Sequence, residues 1–363
     1  MFKIFYIVSS LKRSGPTNQL FNIIKNLDRN VFIPYLITLS SESKDSRWSD
    51  FETLSIHLST LKLSRIEGFF LAKHKLASLI KTEAPDLIHT QGIRADSLLA
   101  SFSFSIPWFL TARNYPYDDY PMKFGKFKGF FMAMQHISTQ KKCLNVVACS
   151  KSIQFQLKGA GVQSVAIQNG INLPVNQFEI ASKAEFESPV FVTVGSLIPR
   201  KNTLLLVESF NYWKSQTKSP GSLVILGDGV ERKELEDMSG NSVHFLGNVN
   251  NVADYLAISN FFVSASLSEG LPNTVLEALA SGLPVILSDI PSHMEIFEVC
   301  SGSCRVFKLA DGVKGLVDEF NKVHTCFDDV SGLDATRVAK DIFSAGVMSK
   351  KYQTLYLNVL ENK

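Results

Sequence analysis

The sequence predicts two tandem Rossmann-like α/β domains, each built on a parallel sheet. Three observations carry that expectation. Short apolar or β-branched runs alternate with amphipathic ones along nearly the whole chain, which is the order of a doubly wound parallel sheet. The alternation breaks once, over the aperiodic stretch 173–189 (LPVNQFEIASKAEFESP), and then restarts. A chain of 363 residues also exceeds one ordinary core and suits two domains of roughly 150–200 residues. The expected division is 1–175, 176–345, and a C-terminal helix over 346–363 that packs back toward the N-terminal domain.

In order, KIFYIVSS is a buried strand and LKRSGPTNQ a polar turn around Gly15 and Pro16. QLFNIIKNL has apolar residues at 20, 21, 23, 24 and 27, the spacing of an amphipathic helix. FIPYLITLS and LSIHLSTLKL follow as strands, 69–82 as a helix, and PDLIHTQG and PWFLTARN as further strands. The first turn carries one glycine where a dinucleotide-binding loop needs three. LNVVACS is the next strand, 151–158 a helix, and VAIQNGIN a strand interrupted by the turn signal Asn169-Gly170. After the break come strand VFVTVGS, helix 202–216, strand SLVILGDG, helix 231–238, strand VHFLGN and helix 252–258. FFVSAS and PVILSDI enclose a short helix, and helices over 310–323, 334–345 and 349–361 close the chain.

Residues 120–137 (YPMKFGKFKGFFMAMQHI) interleave Lys123, Lys126 and Lys128 with Phe124, Phe127, Phe130 and Phe131. Two readings stand: a core helix with lysines on its wet face, or an interfacial segment whose phenylalanines enter the acyl boundary of a membrane while lysines face anionic headgroups.

Composition excludes several classes. With 45% hydrophobic and 20% charged residues the chain reads as an ordinary globular protein, and its net charge of +3 is too mild to argue for nucleic acid. No run approaches the length of apolar sequence that spans a bilayer. Five cysteines, at 143, 149, 300, 304 and 326, form an odd set without a signal peptide, so a reduced, cytoplasmic chain is expected. No His or Cys cluster joins Cys300 and Cys304, and no D-x-D triplet occurs, so no metal site is expected.

The densest stretch is SASLSEGLPNTVLEALASGLPVILSDI, residues 264–290, a strand-turn-helix-strand unit with Glu269 in its turn and Glu277 in its helix. Such a unit sets a helix N-terminus at the carboxyl edge of a parallel sheet, where phosphorylated ligands bind. Pro272 with Asn273 or Thr274 starts the helix and Gly282 ends it. Thr274-Val275-Leu276-Glu277 also fits a capping box, in which Glu277 would merely satisfy a backbone amide.

With VGSLIPRKN, ILGDGVERKELE and HFLGNVNNVADYLAISNFFVSAS, this stretch resembles the donor half of the family 4 (group 1) retaining glycosyltransferases of GT-B fold, and Glu269 and Glu277 stand as that family's E-x7-E pair. The N-terminal half is similar more loosely, through SGPTNQL, DLIHTQG and the NGIN turn. The resemblance implies two parallel-sheet domains facing a central cleft, a nucleotide diphosphate-sugar donor in the C-terminal one, and a glycan or lipid-linked acceptor in the other. It implies no cofactor or metal.

It also implies roles. Glu277 accepts the ribose hydroxyls, since a carboxylate accepts while vicinal hydroxyls donate. Glu269 lies against the donor sugar, with the amides of Gly270, Leu271, Pro272's neighbour Asn273, and Thr274 toward the diphosphate. Arg200 and Lys201 neutralise the leaving diphosphate. Backbone at Asn248 and Val249 meets the base, and Gly15 admits the phosphates and acceptor. Two departures stand out. Ser196 follows the strand glycine Gly195 where many members carry Arg, and Arg113 stands where the family has a histidine. An arginine cannot serve as a base, so Arg113 acts electrostatically or forms a salt bridge with Asp118 or Asp119. Transfer in bacterial surface polysaccharide synthesis, cytoplasmic or peripheral on the inner membrane face, is the expected activity. A nucleotide-sugar 2-epimerase and a non-catalytic nucleotide-sugar-binding partner are its rivals.

Overall fold

A computed structural model describes residues 1–103, 105–173, 186–325 and 332–361. Most of the expected linker, the expected boundary at 175/176 and Cys326 lie outside the described residues. The chain forms two compact units, Met1–Gly170 with Ala345–Lys363, and Ile171–Ser344.

The first unit runs β1 (Phe2–Val8), α1 (Gly15–Lys25), β2 (Phe32–Thr38), α2 (Trp48–Glu52), β3 (His57–Thr60), α3 (Arg65–Glu83), β4 (Leu87–Gln91), α4 (Ile93–Leu99), β5 (Trp108–Ala112), α5 (Pro116–Phe124), α6 (Lys126–Gln140), β6 (Asn145–Ala148), α7 (Lys151–Gly159) and β7 (Val165–Ala166). The second runs β8 (Val190–Val194), α8 (Thr203–Thr217), β9 (Ser222–Leu226), α9 (Arg232–Met238), β10 (Val243–Gly247), α10 (Val252–Ile258), β11 (Phe261–Ser264), α11 (Asn273–Ala280), β12 (Val285–Ser288), α12 (Pro291–Phe297), β13 (Cys304–Phe307), α13 (Gly312–Thr325) and α14 (Gly332–Asp341). The last helix, α15 (Ala345–Glu361), belongs to the first unit.

Both sheets are parallel. Their strand orders are β3-β2-β1-β4-β5-β6-β7 and β10-β9-β8-β11-β12-β13. Each order reverses once, between β1 and β4 and between β8 and β11. At such a reversal the connections leave in opposite directions and open a crevice at the strands' carboxyl ends, where α/β sheets bind ligands.

Burial explains the elements. Ile4, Phe5, Tyr6 and Ile7 of β1 are wholly buried, as a central parallel strand covered on both faces requires. Helix α1 starts at Gly15 because the Ser14 side chain accepts from the Thr17 amide and Pro16 suits the first turn. Against it, α15 sets the fully buried Tyr352 and Tyr356 into the core with Ile4, Tyr6 and Leu20. Ser349 Oγ donates to the Ile23 carbonyl at 2.8 Å.

Three differences from the sequence reading have physical reasons. Helix α3 begins at Arg65 because Ser64 and Glu67 close a capping box ahead of its apolar run. Helices α4 and α12, at 7 residues each, are too short to show a period. Residues 120–137 are not one core helix: Gly125, at φ +86°, separates α5 from α6. Phe127, Phe130 and Phe131 face outward and are exposed.

Gly227, at φ +141°, brings the end of β9 against the loop after β8. A Cβ there would lie 1.9 Å from the Gly195 carbonyl oxygen and 2.7 Å from its carbon. That clash is with backbone, so Gly227→Ala is expected to cost about 3 kcal/mol or more, read as a lowered thermal midpoint.

Candidate functional site

The second unit's crevice is built from two loops, one from each strand flanking the reversal. After β8, Pro199–Lys201 form a single tight turn closed by Asn202 in the left-handed conformation, at φ 54°. After β11 comes the turn 265–272, leading into α11. The loops are stitched together at several points. The Leu267 amide donates to the Arg200 carbonyl at 2.8 Å, and Asn202 Nδ2 donates to the Ala265 carbonyl at 3.2 Å. Arg200 Nη1 donates to the Ser268 carbonyl.

Charge completes the junction. Arg200 Nη1 lies 2.8 Å from Glu269 Oε2, and Lys201 Nζ lies 2.6 Å from Glu269 Oε1. Ser266 Oγ donates to Oε1 at 3.1 Å. The Glu269 side chain is only 9% exposed. Burial alone would raise its pKa, but Lys201 and Arg200 more than reverse that and hold it down to about 2. Two cations and one carboxylate leave one net positive charge at the mouth of the crevice, oriented before any anion arrives.

Glu277 contrasts with it. Among the described residues no hydrogen bond or ion pair reaches its carboxylate, and burial pushes its pKa up to about 7. The capping box is not formed. Pro272 occupies the N-cap of α11 and no side chain caps the helix. The Glu277 side chain is therefore not engaged in capping, and it is half-buried. Gly270, Leu271 and Pro272 are buried in the turn, while Asn273 and Thr274 are half-buried at the helix start.

Gly195 and Ser196 follow β8, with Ser196 exposed. A Cβ on Gly195 would lie 3.2 Å from Lys201 Cε, so this glycine lets the lysine cross over the strand end. The Gly227 amide donates to the Gly247 carbonyl at 2.8 Å. This brings the exposed Asn248 and half-buried Val249, directly after β10, beside the end of β9.

His293, which has no metal-ligand spacing in the sequence and so no expected role, rests on the short α12. It is fully buried behind the Glu269 turn, with Nδ1 3.0 Å from the Ser288 carbonyl and Nε2 3.4 Å from Ser264 Oγ. Burial lowers its pKa to about 4, so the ring is neutral and Nδ1–H donates to that carbonyl. Ser288 Oγ in turn donates to the Ser266 carbonyl at 2.7 Å.

The first unit places Arg113 directly after β5, and Gly15 at the start of α1, after β1. The expected salt bridge to Asp118 or Asp119 is not formed. Instead Arg113 Nε donates to Gln91 Oε1 at 2.8 Å and Nη1 to Asn169 Oδ1 at 2.9 Å. Gln91 follows into the α1 loop by donating to the Pro16 carbonyl at 3.2 Å. Nη2 is buried and has no partner among the described residues. Two neutral amides thus aim a full positive charge without cancelling it. His89 is structural. It bridges Tyr356 and Thr111 at 2.6 and 2.7 Å, and burial, with Arg113 nearby, lowers its pKa to about 3.

Among the described residues no three His, Cys, Asp or Glu side chains converge as a metal-ligating group. No helix among them is long and apolar enough to cross a membrane.

Two parallel-sheet units of this order define the GT-B fold. The structure of Anabaena HepE in complex with UDP superposes with a TM-score of 0.78 at 18% identity, covering 98% of this chain and 100% of that one. Residues 176–320 match the family model of the glycosyl transferases group 1. The chain is similar to the capsular polysaccharide biosynthesis glycosyltransferase CapH of Staphylococcus aureus, at 23% identity over 94% of this chain and 98% of that one. It is also similar to the UDP-Gal:alpha-D-GlcNAc-diphosphoundecaprenol alpha-1,3-galactosyltransferase of Escherichia coli, at 29% identity over 59% of this chain and 60% of that one.

Proposed function

We propose that this protein is a retaining, metal-independent glycosyltransferase. It moves a sugar from a nucleotide diphosphate-sugar to a glycan or lipid-linked glycan in surface polysaccharide synthesis, on the cytoplasmic side of the membrane. The observation that carries the reading is the Arg200–Lys201–Glu269 cluster beside an uncapped helix N-terminus at a sheet reversal. Its net positive charge suits a diphosphate, and it stabilises most the state in which the leaving group has gained charge. A fixed cation pair can supply what a divalent ion supplies elsewhere. The relatives support the class of substrates: HepE binds UDP, CapH serves capsule synthesis, and the E. coli enzyme is named for a UDP-sugar donor and a diphosphoundecaprenol-linked acceptor.

Within this reading Glu277 accepts the ribose hydroxyls and Glu269 faces the donor sugar. Arg113 offers its unpartnered Nη2 to an anionic group of the substrate. No side chain of the cluster is free to act as nucleophile, because Glu269 is held by two cations. The acceptor oxygen therefore attacks the anomeric carbon on the face the diphosphate leaves, and its proton passes to a departing phosphate oxygen. That path retains configuration.

The test is a panel of UDP-, GDP- and dTDP-sugars, with nucleoside diphosphate release measured with and without membrane extract, in EDTA and in Mn²⁺. Release that requires extract and persists in EDTA is the expected result. Sugar isomerisation without extract would replace this reading with an epimerase. Activity abolished by EDTA and restored by Mn²⁺ would overturn metal independence.

A further inference from the structure

Helix α6 is built inside out. Apart from Ile137, its buried side is small or polar: Gly129, Ala133, His136, Thr139 and Gln140. Its outer side carries the bulk: Phe127 is 87% exposed, Phe131 63%, Phe130 51% and Met134 46%. At roughly 100° per residue these four fall within one arc, and Lys126 and Lys128 flank it on opposite sides.

The orientation is fixed by the packing of α5 and α6. A Cβ at Gly129 would sit 2.3 Å from the Tyr120 carbonyl oxygen, so only glycine lets the two helices cross there. Tyr120 OH lies 2.7 Å from His136 Nδ1, and His136 Nε2 lies 2.8 Å from Asp96 Oδ2. Tyr120 also stacks on the imidazole, with ring centroids 5.8 Å apart. Rotating the phenylalanines inward would break all of these contacts.

A contiguous outward aromatic face on a rigid helix requires an occupant. Charge selects among the candidates. Residues 120–142 contain five lysines (123, 126, 128, 141 and 142) and no Asp or Glu. A second copy of this chain docked face to face would set these lysines against one another. An anionic lipid surface accepts the rings below the headgroups and neutralises the ammonium groups at headgroup level. The same helix face continues past Met134 and Ser138 into a groove of about 540 Å³ that also touches Lys142, which provides a further cation at the depth of lipid phosphates.

We propose that the outer face of α6, with Lys123 from α5, docks the first unit on the surface of an anionic bilayer, with the helix lying in the interface plane. The docking is independent of turnover, so it is tested apart from the transfer reaction.

The probe is the full chain with large vesicles, either phosphatidylcholine alone or phosphatidylcholine with phosphatidylglycerol. Sedimentation with the anionic vesicles, falling as salt rises, is expected. Lys126→Ala with Lys128→Ala should weaken partitioning about 25-fold, from about fivefold per lysine. Phe127→Ser with Phe131→Ser should abolish partitioning without lowering the thermal midpoint, because both rings are exposed. In Phe127→Trp, the indole emission should shift to the blue on anionic vesicles and be quenched by brominated lipids. Absence of binding to anionic vesicles would overturn the proposal, as would binding that neither variant alters. A concentration-dependent dimer in ultracentrifugation, abolished by Phe127→Ser, would instead assign the face to a second copy.

Discussion

Replacing Glu269 with glutamine is expected to lower kcat by about 10²- to 10³-fold while leaving nucleoside diphosphate binding intact or tighter. The two halves of that result come from one change in charge. Glu269 stands between Arg200 and Lys201 at 2.8 and 2.6 Å, and its loss takes the cluster from one net positive charge to two. A diphosphate then meets a stronger field in the ground state, so isothermal titration should show an unchanged or lower Kd. On the proposed reading, what is lost is the carboxylate beside the donor sugar, where positive charge develops at the anomeric carbon during transfer. The glutamine keeps the shape of the side chain and an oxygen for Ser266, so the turn persists. Parallel loss of nucleotide binding and turnover would show that Glu269 merely holds the cations in place.

The pH dependence of Glu269 follows from its depressed pKa. The folded-state value of about 2 lies below the ordinary carboxylate value. The ion pairs therefore add stability above pH of about 4.3, and that stability is lost as pH falls toward 2. Since the side chain is buried, the contribution is on the order of 3 kcal/mol. Melting curves from pH 6 to pH 3 should show it in the wild type and lack it in Glu269→Gln. No limb of the pH–rate profile above pH 4 should belong to this residue.

The β/α order of both units was legible in the sequence because buried parallel strands read as apolar runs, and because the helices between them are mostly long enough to show a period. That order places β8 and β11 at the reversal, and so places Arg200, Lys201 and Glu269 within reach of one another. The expectation that the turn's carboxylate needed cations from another loop required only charge. What long-range packing decided was not legible. His293 depends on a helix of one to two turns opened by Pro291, with no periodicity to reveal it. The outward rotation of Phe127 and Phe131 was equally compatible with the sequence of a core helix, because periodicity fixes which residues share a face and not which way that face points. Gly129 against Tyr120 decided it. The partners of Arg113 were not legible either, since they are the amides of Gln91 and Asn169, 22 and 56 residues away. The capping box failed by register. With Pro272 at the N-cap, the helix starts at Asn273, so Thr274 lies inside the first turn and cannot pair with Glu277.

That register failure leads to the second large effect. Glu277→Gln is expected to raise the Kd for nucleoside diphosphate about ten- to a hundredfold at pH 8, the loss of hydrogen bonds to a charged group. At the same pH it should raise the melting temperature of the unliganded protein. A half-buried carboxylate with no partner among the described residues has its folded-state pKa raised by desolvation to about 7. Its contribution to stability is therefore full below pH of about 4.3 and is lost as pH rises through 7, by about 4 kcal/mol at most. Glutamine has no charge to desolvate and escapes that loss. The ribose hydroxyls donate, so the ligand binds the ionised form and expels the proton. Wild-type affinity should climb from pH 5 to pH 7 and then level, with proton release visible as a buffer-dependent binding enthalpy. The Gln variant should show neither. If Glu277→Gln instead lowered the unliganded melting temperature and left Kd unchanged, the carboxylate would be a structural group and the ribose assignment would fall.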